Sequence, residues 1–580
     1  MGTISDKLMR IINTKEDIRQ ALISKGYDVP TSIPFKEYAK MILDLPCRVD
    51  SFPDIEGIVA RYSALGLTNE QMAANPVWVD KTGNGHDIQL KNFSWKGMSG
   101  VGEYEMNFNL WRNNVPSIPD ISMSTTTTSV SVSIGNSTYN NNLIYIHISN
   151  WDINKNHWLK VTSTYEDGDI AFVFYNNSNT KNIGLPANGY VNIPAYHEFK
   201  GSYMYISTIS NKQGSFTIEQ LPLYPGALVF DGVDDYGVCE NFPILTKEKG
   251  YTVVVLRQWD QDFLNTTLTG GLLPTRNYST GEGVAFEKIE SSNKGYWNLG
   301  AGGIIDFAKS PFTWQTSKQY NNVGILKGDK NHGKPLCVGC GLSGGQQCGR
   351  FAIWELVFLD HDATEEELTK IKDYFVKTYP WLFPDQAWTV VGKTNEDEDR
   401  ATIANITGNG NDLVLSNFGF AEGSGYNEEG EYAGYLVTDG VDDKIISSIF
   451  KMGNDWTVIG DWELINTGKN DNAGIVKFDS IVIYNYNSVL INIKNGRNIL
   501  IPDQNTVNAI CSDGRIYSKD WKESIYNEET ESTSKNFLTI GYSGNAYTKI
   551  AFKNLAIYPT VLSREDCIKA YNYLQTLKAK

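Results

Sequence analysis

The feature that most constrains the fold of this 580-residue chain is an internal repeat. Residues 82–93 (TGNGHDIQLKNF) return as residues 407–418 (TGNGNDLVLSNF), with eight of the twelve positions identical. Three further blocks return in the same order: 228–235 as 436–443, 336–339 as 538–541, and 352–358 as 551–557. Because the order is kept over all four blocks, the repeat indicates a duplicated domain.

The two copies differ in spacing at one place. Between the first two blocks the second copy has a link at 419–435, whereas the first copy has residues 94–227. The difference is about 115 residues, which is enough for a domain, and surface loops tolerate such insertions when their ends lie close together. The insertion contains four runs typical of strands, with Asn, Gly and Asp between them: 129–134, 143–148, 170–175 and 203–208.

Local signals support strands closed by helices in both copies. Asp231-Gly232-Val233-Asp234-Asp235 lies between apolar runs and predicts a tight turn. Thr364 with Glu367, and Ser563 with Asp566, have the capping-box spacing ahead of helical patterns.

We therefore predict a mainly β protein with two jelly-roll sandwich domains, the first interrupted by an inserted β-sandwich domain. Residues 1–46 instead have apolar residues at helical spacing and a capping pair at Thr14 and Asp17, which predicts a small helical segment. The predicted regions are 1–50 (helical anchoring segment), 51–105 (N-terminal portion of the first module), 106–225 (inserted domain), 226–385 (C-terminal portion of the first module) and 386–580 (second module), with the junction between the copies at 385–400.

Charge and composition limit the partners. The net charge of −16 argues against nucleic acid and against anionic membrane surfaces. No apolar stretch approaches the ~20 residues that span a bilayer. The N-terminal residues lead into an amphipathic pattern rather than a signal peptide, which predicts folding in a cytoplasm. The chain has seven cysteines, an odd number spread thinly along it, which argues against a disulfide framework.

Cys337, Cys340 and Cys348 resemble a portion of a zinc site, which would need a fourth ligand such as His332 or His361. The second copy has Thr539, Tyr542 and Tyr547 at the aligned positions, so we expect structural free thiols instead. His86 is matched by Asn411, so the module does not require a histidine there.

Acidic residues offer candidate calcium ligands, although turn capping by Asp explains them more simply. The candidates are Asp231, Asp234 and Asp235 in the first copy and Asp439, Asp442 and Asp443 in the second. Weaker candidates beside the Gly-Asn-Gly loops are Asp80, Asp87 and Asp412. Calcium is the one cofactor that these residues suggest.

Trp95 and Phe420 follow the Asn-Phe pairs of the two copies and are candidates for stacking on sugar rings. Aromatic residues aligned in both copies more often belong to a core. The chain contains no Glu-x-Asp pair of the kind that laminarinase-type sandwich glycosidases carry, no Gly-x-Ser-x-Gly elbow and no phosphate loop. We therefore predict a protein that is not an enzyme, with a non-motif active site in the inserted domain as the open alternative.

The blocks at 230–235 (FDGVDD) and 358–368 (FLDHDATEEEL) resemble the laminin G-like, or concanavalin A-like, jelly-roll family. The resemblance covers about 80–105 with 226–380, and 400–580; the second copy departs from it at Thr438, where Phe is usual. It implies a sandwich fold that binds glycans or proteins, often through calcium at the rim, or a purely structural role.

The N-terminal run at 7–22 with 34–39, and the stretch 68–93, are similar to appendage proteins of bacteriophages of gut Bacteroides, including the crAss-like group. This resemblance implies a virion fibre, spike or decoration, anchored to other virion proteins through residues 1–46, homo-oligomeric with a trimer expected, and exposed after host lysis. The alternatives are a glycan-binding adhesin of a bacterium and a polysaccharide-degrading enzyme.

Overall fold

The computed structural model describes residues 52–579 apart from stretches within that range. The stretches of seven residues or more that it leaves out are 114–120, 136–145, 148–156, 194–202, 261–269, 275–284, 307–322, 328–334, 341–347, 466–473 and 526–537. The predicted helical segment at 1–50, with Thr14 and Asp17, lies outside the described residues.

The first sandwich is assembled from two separate regions of the chain. The strands of its larger sheet, in spatial order, are Val323–Lys327, Thr252–Trp259, Arg350–Leu359, Leu228–Asp231 and Gly100–Val101, with Ile58–Ser63 also paired to Arg350–Leu359. The strands of its second sheet are Val77–Trp78, Ile88–Lys91, Tyr236–Cys239 and Leu336–Val338. One hydrophobic core joins both sheets, with Tyr62, Trp78, Phe230 and Val253 among its buried members. A separate four-stranded sheet comprises Gly270–Pro274, Ala285–Lys288, Lys294–Trp297 and Gly303–Asp306.

The strands between residues 112 and 220 form two sheets of their own. One comprises Thr180–Gly184, Ile170–Tyr175, Tyr203–Thr208, Ile146–His147 and Arg112–Asn113, and the other Asn188–Ile193, His157–Ser163, Gly214–Gln220, Ser129–Ile134 and Ile121–Thr125. They enclose a separate core in which alternate residues point inward, as Val130, Val132 and Ile134 do. Of the four predicted runs, 129–134, 170–175 and 203–208 are strands with those bounds, while only Ile146–His147 is described as a strand within 143–148.

The second sandwich repeats the first without an interruption. Both of its sheets have eight strands, and one comprises Gly425–Asn427, Tyr435–Val437, Ile550–Tyr558, Thr457–Leu464, Val507–Cys511, Arg515–Ser518 and Glu523–Ile525, with Gln386–Thr389 paired to Ile550–Tyr558. The other sheet comprises Thr402–Ile403, Leu413–Ser416, Lys444–Ser447, Leu538–Ile540, Gly474–Phe478, Ile481–Asn485, Val489–Ile493 and Arg497–Ile501. A small hairpin pairs Tyr542–Ser543 with Ala546–Tyr547. The predicted junction 385–400 thus begins with a strand of this sandwich.

Three α-helices lie within the described residues: α1 (Asn69–Ala74), α2 (Glu365–Thr378) and α3 (Arg564–Gln575). Short 3-10 turns occur at Phe108–Leu110 and Pro380–Leu382. The Thr364–Glu367 capping box at α2 is confirmed, because each side chain bonds the backbone N–H of the other residue. At α3 the Ser563 hydroxyl accepts from the Asp566 N–H at 3.1 Å. None of the described helices is long and apolar enough to cross a membrane.

Helix α3 contacts all three β modules. Its Tyr571 ring lies edge-on to Trp158 of the inserted strands, with centroids 4.8 Å apart. Its Tyr573 ring lies 6.5 Å from Trp354 of the first sandwich, and Gln258 of that sandwich donates to the Thr576 hydroxyl at 3.1 Å. The helix that closes the second sandwich therefore also joins it to the other two modules. The predicted mainly β class, with several sandwich sheets, is confirmed.

Candidate functional site

The acidic turn of the first module is held together by its own carboxylates. Gly232 has φ 76°, a left-handed conformation that glycine adopts without steric cost. The Asp231 Oδ1 atom accepts hydrogen bonds from the N–H groups of Val233 at 2.8 Å and Asp234 at 3.3 Å. The Asp235 Oδ2 atom accepts from the Asp231 N–H at 3.0 Å. The predicted turn capping by Asp is present.

A second loop braces this turn from outside. The Ser99 hydroxyl donates to Asp235 Oδ1 at 3.0 Å, and the Asn92 side chain donates to the Asp234 carbonyl at 3.0 Å. Asn92 itself has φ 69°, a conformation that Asn tolerates better than most residues. The Asn-Phe block and the acidic turn, far apart in the sequence, therefore form one structural unit.

The second module builds the same unit atom for atom. The contacts are Asp439 Oδ1 with the N–H groups of Val441 (2.7 Å) and Asp442 (3.2 Å), Asp443 Oδ2 with the Asp439 N–H (2.7 Å), Ser424 with Asp443 Oδ1 (3.1 Å) and Asn417 with the Asp442 carbonyl (3.0 Å). Neither serine was predicted to take part in these turns. A signal was present, because each serine follows its asparagine by seven residues.

Burial shifts the titration of one aspartate in each turn. Burial, then the neighbouring Asp231 charge, raises the pKa of Asp235 to about 7 against the opposing hydrogen bonds from Ser99 and the backbone. Burial likewise raises the pKa of Asp443 to about 6, although hydrogen bonds from Asp439 and Ser424 oppose it. Each buried carboxyl group therefore keeps its proton to a higher pH than an exposed aspartate does.

Each aspartate triad has one carboxylate oxygen per residue that could contact a cation. These three oxygens lie within 4.8 Å of one another. Calcium takes six to eight oxygen ligands, and three of the carboxylate oxygens here already accept N–H or O–H groups. The two triads belong to separate modules and do not combine. We therefore assign them first to turn capping, with calcium ligation as a secondary capacity.

Trp95 and Phe420 occupy the same position in the two modules. Both have left-handed backbones, with φ 54° and 49°, and both are half-buried against a core. Trp95 stacks on Phe93 with centroids 4.8 Å apart, and the Arg400 guanidinium lies 4.9 Å from the Phe420 ring centre. These rings therefore contribute to the rim of each core as well as to its surface.

The weaker calcium candidates organise the Gly-Asn-Gly loops. Asp80 is buried and its Oδ1 atom accepts from the N–H groups of Arg61 and Thr82, both at 3.0 Å. Asp87 Oδ1 accepts from the Asp80 N–H at 2.8 Å, as Asp412 Oδ1 does from the Asn405 N–H. His86 contributes its carbonyl oxygen, which accepts from the Tyr62 hydroxyl. The backbone supplies that contact, so Asn411 replaces the histidine without loss.

The expectation of free thiols is wrong for two of the three cysteines in the possible zinc site. Cys340 and Cys348 form a disulfide, which removes both as zinc ligands. Their Cα atoms lie 4.1 Å apart, a proximity that the spacing in the sequence does not show. Cys337 is buried on its strand, and burial raises its pKa to about 11. His332 lies outside the described residues, and the ring nitrogens of His361 are 3.3 Å from Asp360 and 3.2 Å from Glu367.

No protein-family model matches this chain, and no curated protein matches it. Among solved structures it is similar to the Trypanosoma rangeli sialidase in complex with sialic acid, at 8% identity over 80% of this chain and 85% of that one, with a TM-score of 0.22. It is also similar to the botulinum neurotoxin serotype D ligand-binding domain in complex with N-acetylneuraminic acid, at 10% identity over 57% and 87%, with a TM-score of 0.22. Similarity of this degree carries no argument about function.

Proposed function

We propose that this protein is a structural component of a phage virion, a tail or head appendage whose sandwich modules project outward. The observation that carries the proposal is what the repeated residues do. In the two acidic turns and the loops that brace them, the residues that the copies share hold turns and loops together. Residues with this role belong to a structural building block, so the proposed role is structural and not catalytic.

Contact between the inserted strands and the second sandwich further supports a scaffold. Domains joined only by linkers move independently, whereas a shared aromatic contact surface holds them in one arrangement. The Trp158, Trp521 and Tyr571 rings form such a surface, with centroids 4.8 to 6.4 Å apart. A rigid multi-domain body suits a fibre, spike or decoration protein.

Mass spectrometry of purified particles tests the virion role. We expect the full chain among the particle proteins, in a copy number compatible with a trimer, and we expect deletion of residues 1–46 to abolish its incorporation. Full incorporation of the truncated chain would show that the anchoring role assigned to residues 1–46 is wrong.

We further propose that the modules recognise host-surface glycans. The alternative is a bacterial glycan-binding adhesin. The observation that favours glycan contact is the pair of half-buried rings, Trp95 and Phe420, held in the same unusual backbone conformation in both modules. A sugar ring stacks on an aromatic face that is rigid and partly solvent-exposed.

A glycan array probed with the full chain, with and without calcium, tests glycan recognition. We expect Trp95→Ala and Phe420→Ala to weaken binding, while the control Tyr175→Ala, at an exposed ring of the inserted strands, leaves it unchanged. If the protein bound no glycan on the array, glycan recognition would be wrong and only the scaffold role would remain. Shortening of a host polysaccharide during incubation would instead favour an enzyme.

A further inference from the structure

Two buried cysteines meet where α3 joins the second sandwich. Cys511 ends the strand Val507–Cys511, and Cys567 lies in the first turns of α3. Both side chains are fully buried, and Cys567 Sγ lies 4.0 Å from the Leu562 carbonyl oxygen. Neither belongs to the Cys340–Cys348 disulfide.

The chain around this pair is held by one threonine. The Thr457 hydroxyl lies 3.7 Å from Cys511 Sγ, donates to the Thr560 carbonyl at 2.9 Å and accepts from the Leu562 N–H at 2.9 Å. It fixes the segment that enters α3 directly beside Cys511. Leu562 links the two cysteines, because its N–H bonds the Thr457 hydroxyl beside Cys511 and its carbonyl oxygen lies beside Cys567 Sγ.

The first module shows that the fold does not require these cysteines. There the Thr252 hydroxyl makes the same pair of hydrogen bonds. It donates to the His361 carbonyl at 2.9 Å and accepts from the Ala363 N–H at 2.8 Å. Counting from the helix caps Thr364 and Ser563, the residue that matches Cys567 is Leu368. An apolar side chain fills that position in the first copy, so the thiol pair is an addition specific to the second.

The electrostatics favour reaction at one sulfur. The hydrogen bond from Cys567, the largest effect, lowers the pKa of Cys511 despite burial, whereas burial raises the pKa of Cys567 well above its ordinary value. A thiolate is the attacking species in thiol–disulfide exchange. The Cys340–Cys348 bridge further indicates that the protein meets oxidising conditions, where disulfides persist.

We infer that Cys511 and Cys567 form a second disulfide that fastens α3 to the sheet when the protein folds or opens locally in the presence of a small disulfide such as oxidised glutathione. The Cys511 thiolate attacks one glutathione sulfur, releasing the other half as a thiol. The Cys567 thiolate then attacks the Cys511 sulfur of the mixed disulfide and releases the second glutathione thiol. Two cysteine thiols are oxidised, one glutathione disulfide is reduced, and both protons end on glutathione.

The consequence reaches beyond the second module, because α3 also contacts the inserted strands through Tyr571 and the first sandwich through Tyr573. A covalent link at the start of α3 therefore holds the contacts of all three modules in place. This inference does not depend on the proposed virion role.

Peptide mapping of the full chain tests the inference. The protein is unfolded in urea with reductant, refolded in a glutathione redox buffer oxidising enough to close Cys340–Cys348, alkylated and digested without reduction. We expect a peptide pair joined through Cys511 and Cys567, with two thiols lost and a mass decrease of about 2 Da beyond the Cys340–Cys348 bridge.

Two variants serve as controls. Cys567→Ala should give no bridged peptide and leave Cys511 either alkylated or joined to glutathione, whereas Cys239→Ala, at a buried cysteine of the first sandwich, should leave the new bridge intact. Alkylated Cys511 in the unsubstituted chain, at a redox poise where Cys340–Cys348 is closed, would overturn the inference. A bridge from Cys511 to any other cysteine would overturn it as well.

Discussion

At the scale of single residues, the buried aspartates of the acidic turns connect stability to pH. Burial raises the folded-state pKa of Asp235 to about 7 and that of Asp443 to about 6, whereas an unfolded Asp titrates near 3.9. Between these values the folded state holds a proton that the unfolded state has released. The stabilisation from each group is therefore complete below about pH 4 and is lost as the pH rises through the folded-state pKa.

We expect Asp235→Asn to reduce this loss of stability between pH 4.5 and 7.5, because an amide is neutral throughout and can still bond Ser99 and the Asp231 N–H. Urea unfolding midpoints across that range measure the effect. The control is Asp412→Asn, an exposed residue whose Oδ1 contact an amide keeps. Equal pH slopes for Asp235→Asn and the unsubstituted protein would contradict the assignment.

A matched pair of glycines separates backbone strain from steric clash. Gly339 and Gly541 occupy the same repeat position with φ 98° and 74°. A Cβ on Gly339 would lie 2.5 Å from the Asp235 carbonyl and 2.6 Å from the Phe230 ring, while on Gly541 the nearest atom is 3.2 Å away, in Thr438. The Phe-to-Thr difference at this block therefore relaxes the space around the second glycine.

We expect Gly541→Ala to cost about 1 to 2 kcal/mol, the strain of a left-handed alanine, and Gly339→Ala to cost about 3 kcal/mol or more. Gly430→Ala, with φ 80° and no atom within 4 Å of its Cβ, measures the backbone cost alone. Denaturant unfolding of the three variants checks the order, and similar costs for Gly339→Ala and Gly541→Ala would contradict it.

At the scale of elements, a buried ion pair joins two strands of the first sandwich. Arg61 on Ile58–Ser63 contacts Glu355 on Arg350–Leu359, with Nε–Oε2 at 3.1 Å, and the Tyr379 hydroxyl donates to Glu355 at 2.7 Å. Burial raises the pKa of Glu355 although Arg61 and these hydrogen bonds oppose it. The second sandwich has Ala387 and Asn554 at the matching positions, so the pair is not a requirement of the fold.

Arg61→Met should cost about 3 to 5 kcal/mol, because it leaves a buried carboxylate without its cation. Arg61→Met combined with Glu355→Leu should be less destabilised than Arg61→Met alone, since no charge then remains buried. Unfolding followed by tryptophan fluorescence compares the two. A double variant less stable than the single one would show that the pair itself supplies net stability.

At the scale of the whole molecule, α3 and the aromatic rings around it determine how the modules are arranged. Trp158 packs against Tyr571 at 4.8 Å and Trp521 at 6.4 Å, and the Arg564 guanidinium lies 5.5 Å from the Tyr190 ring centre. These contacts join the inserted strands to the second sandwich.

We expect Trp158→Ala to loosen the inserted domain from α3, because it removes the ring that fills this contact. The measurement is the radius of gyration by small-angle scattering, which should increase while far-ultraviolet circular dichroism stays the same. Tyr175→Ala, at a ring 41% exposed in the same domain, should change neither. An unchanged scattering curve for Trp158→Ala would indicate that other contacts suffice.

Short-range patterns in the sequence determined the elements. The strands at 129–134, 170–175 and 203–208 follow from runs of strand-forming residues, the capping box at Thr364 from a four-residue motif, and the acidic turns from Asp and Gly at fixed positions. Each of these depends on neighbours in the chain, whose geometry is nearly the same wherever the segment lies. The repeat also indicated the order of the modules along the chain, because comparison with the second copy shows where the first is interrupted.

Only the tertiary structure decided which distant residues meet. The Ser99–Asp235 bond, the Arg61–Glu355 pair, the Cys340–Cys348 disulfide and the contacts of α3 join residues that no periodic pattern relates. Such contacts depend on how whole sheets pack, and packing is set by the shapes of buried side chains acting together. The sequence by itself therefore determined the modules and their turns. The packing of those modules decided the partners of Asp235 and Glu355, the disulfide and the contacts of the last helix with all three modules.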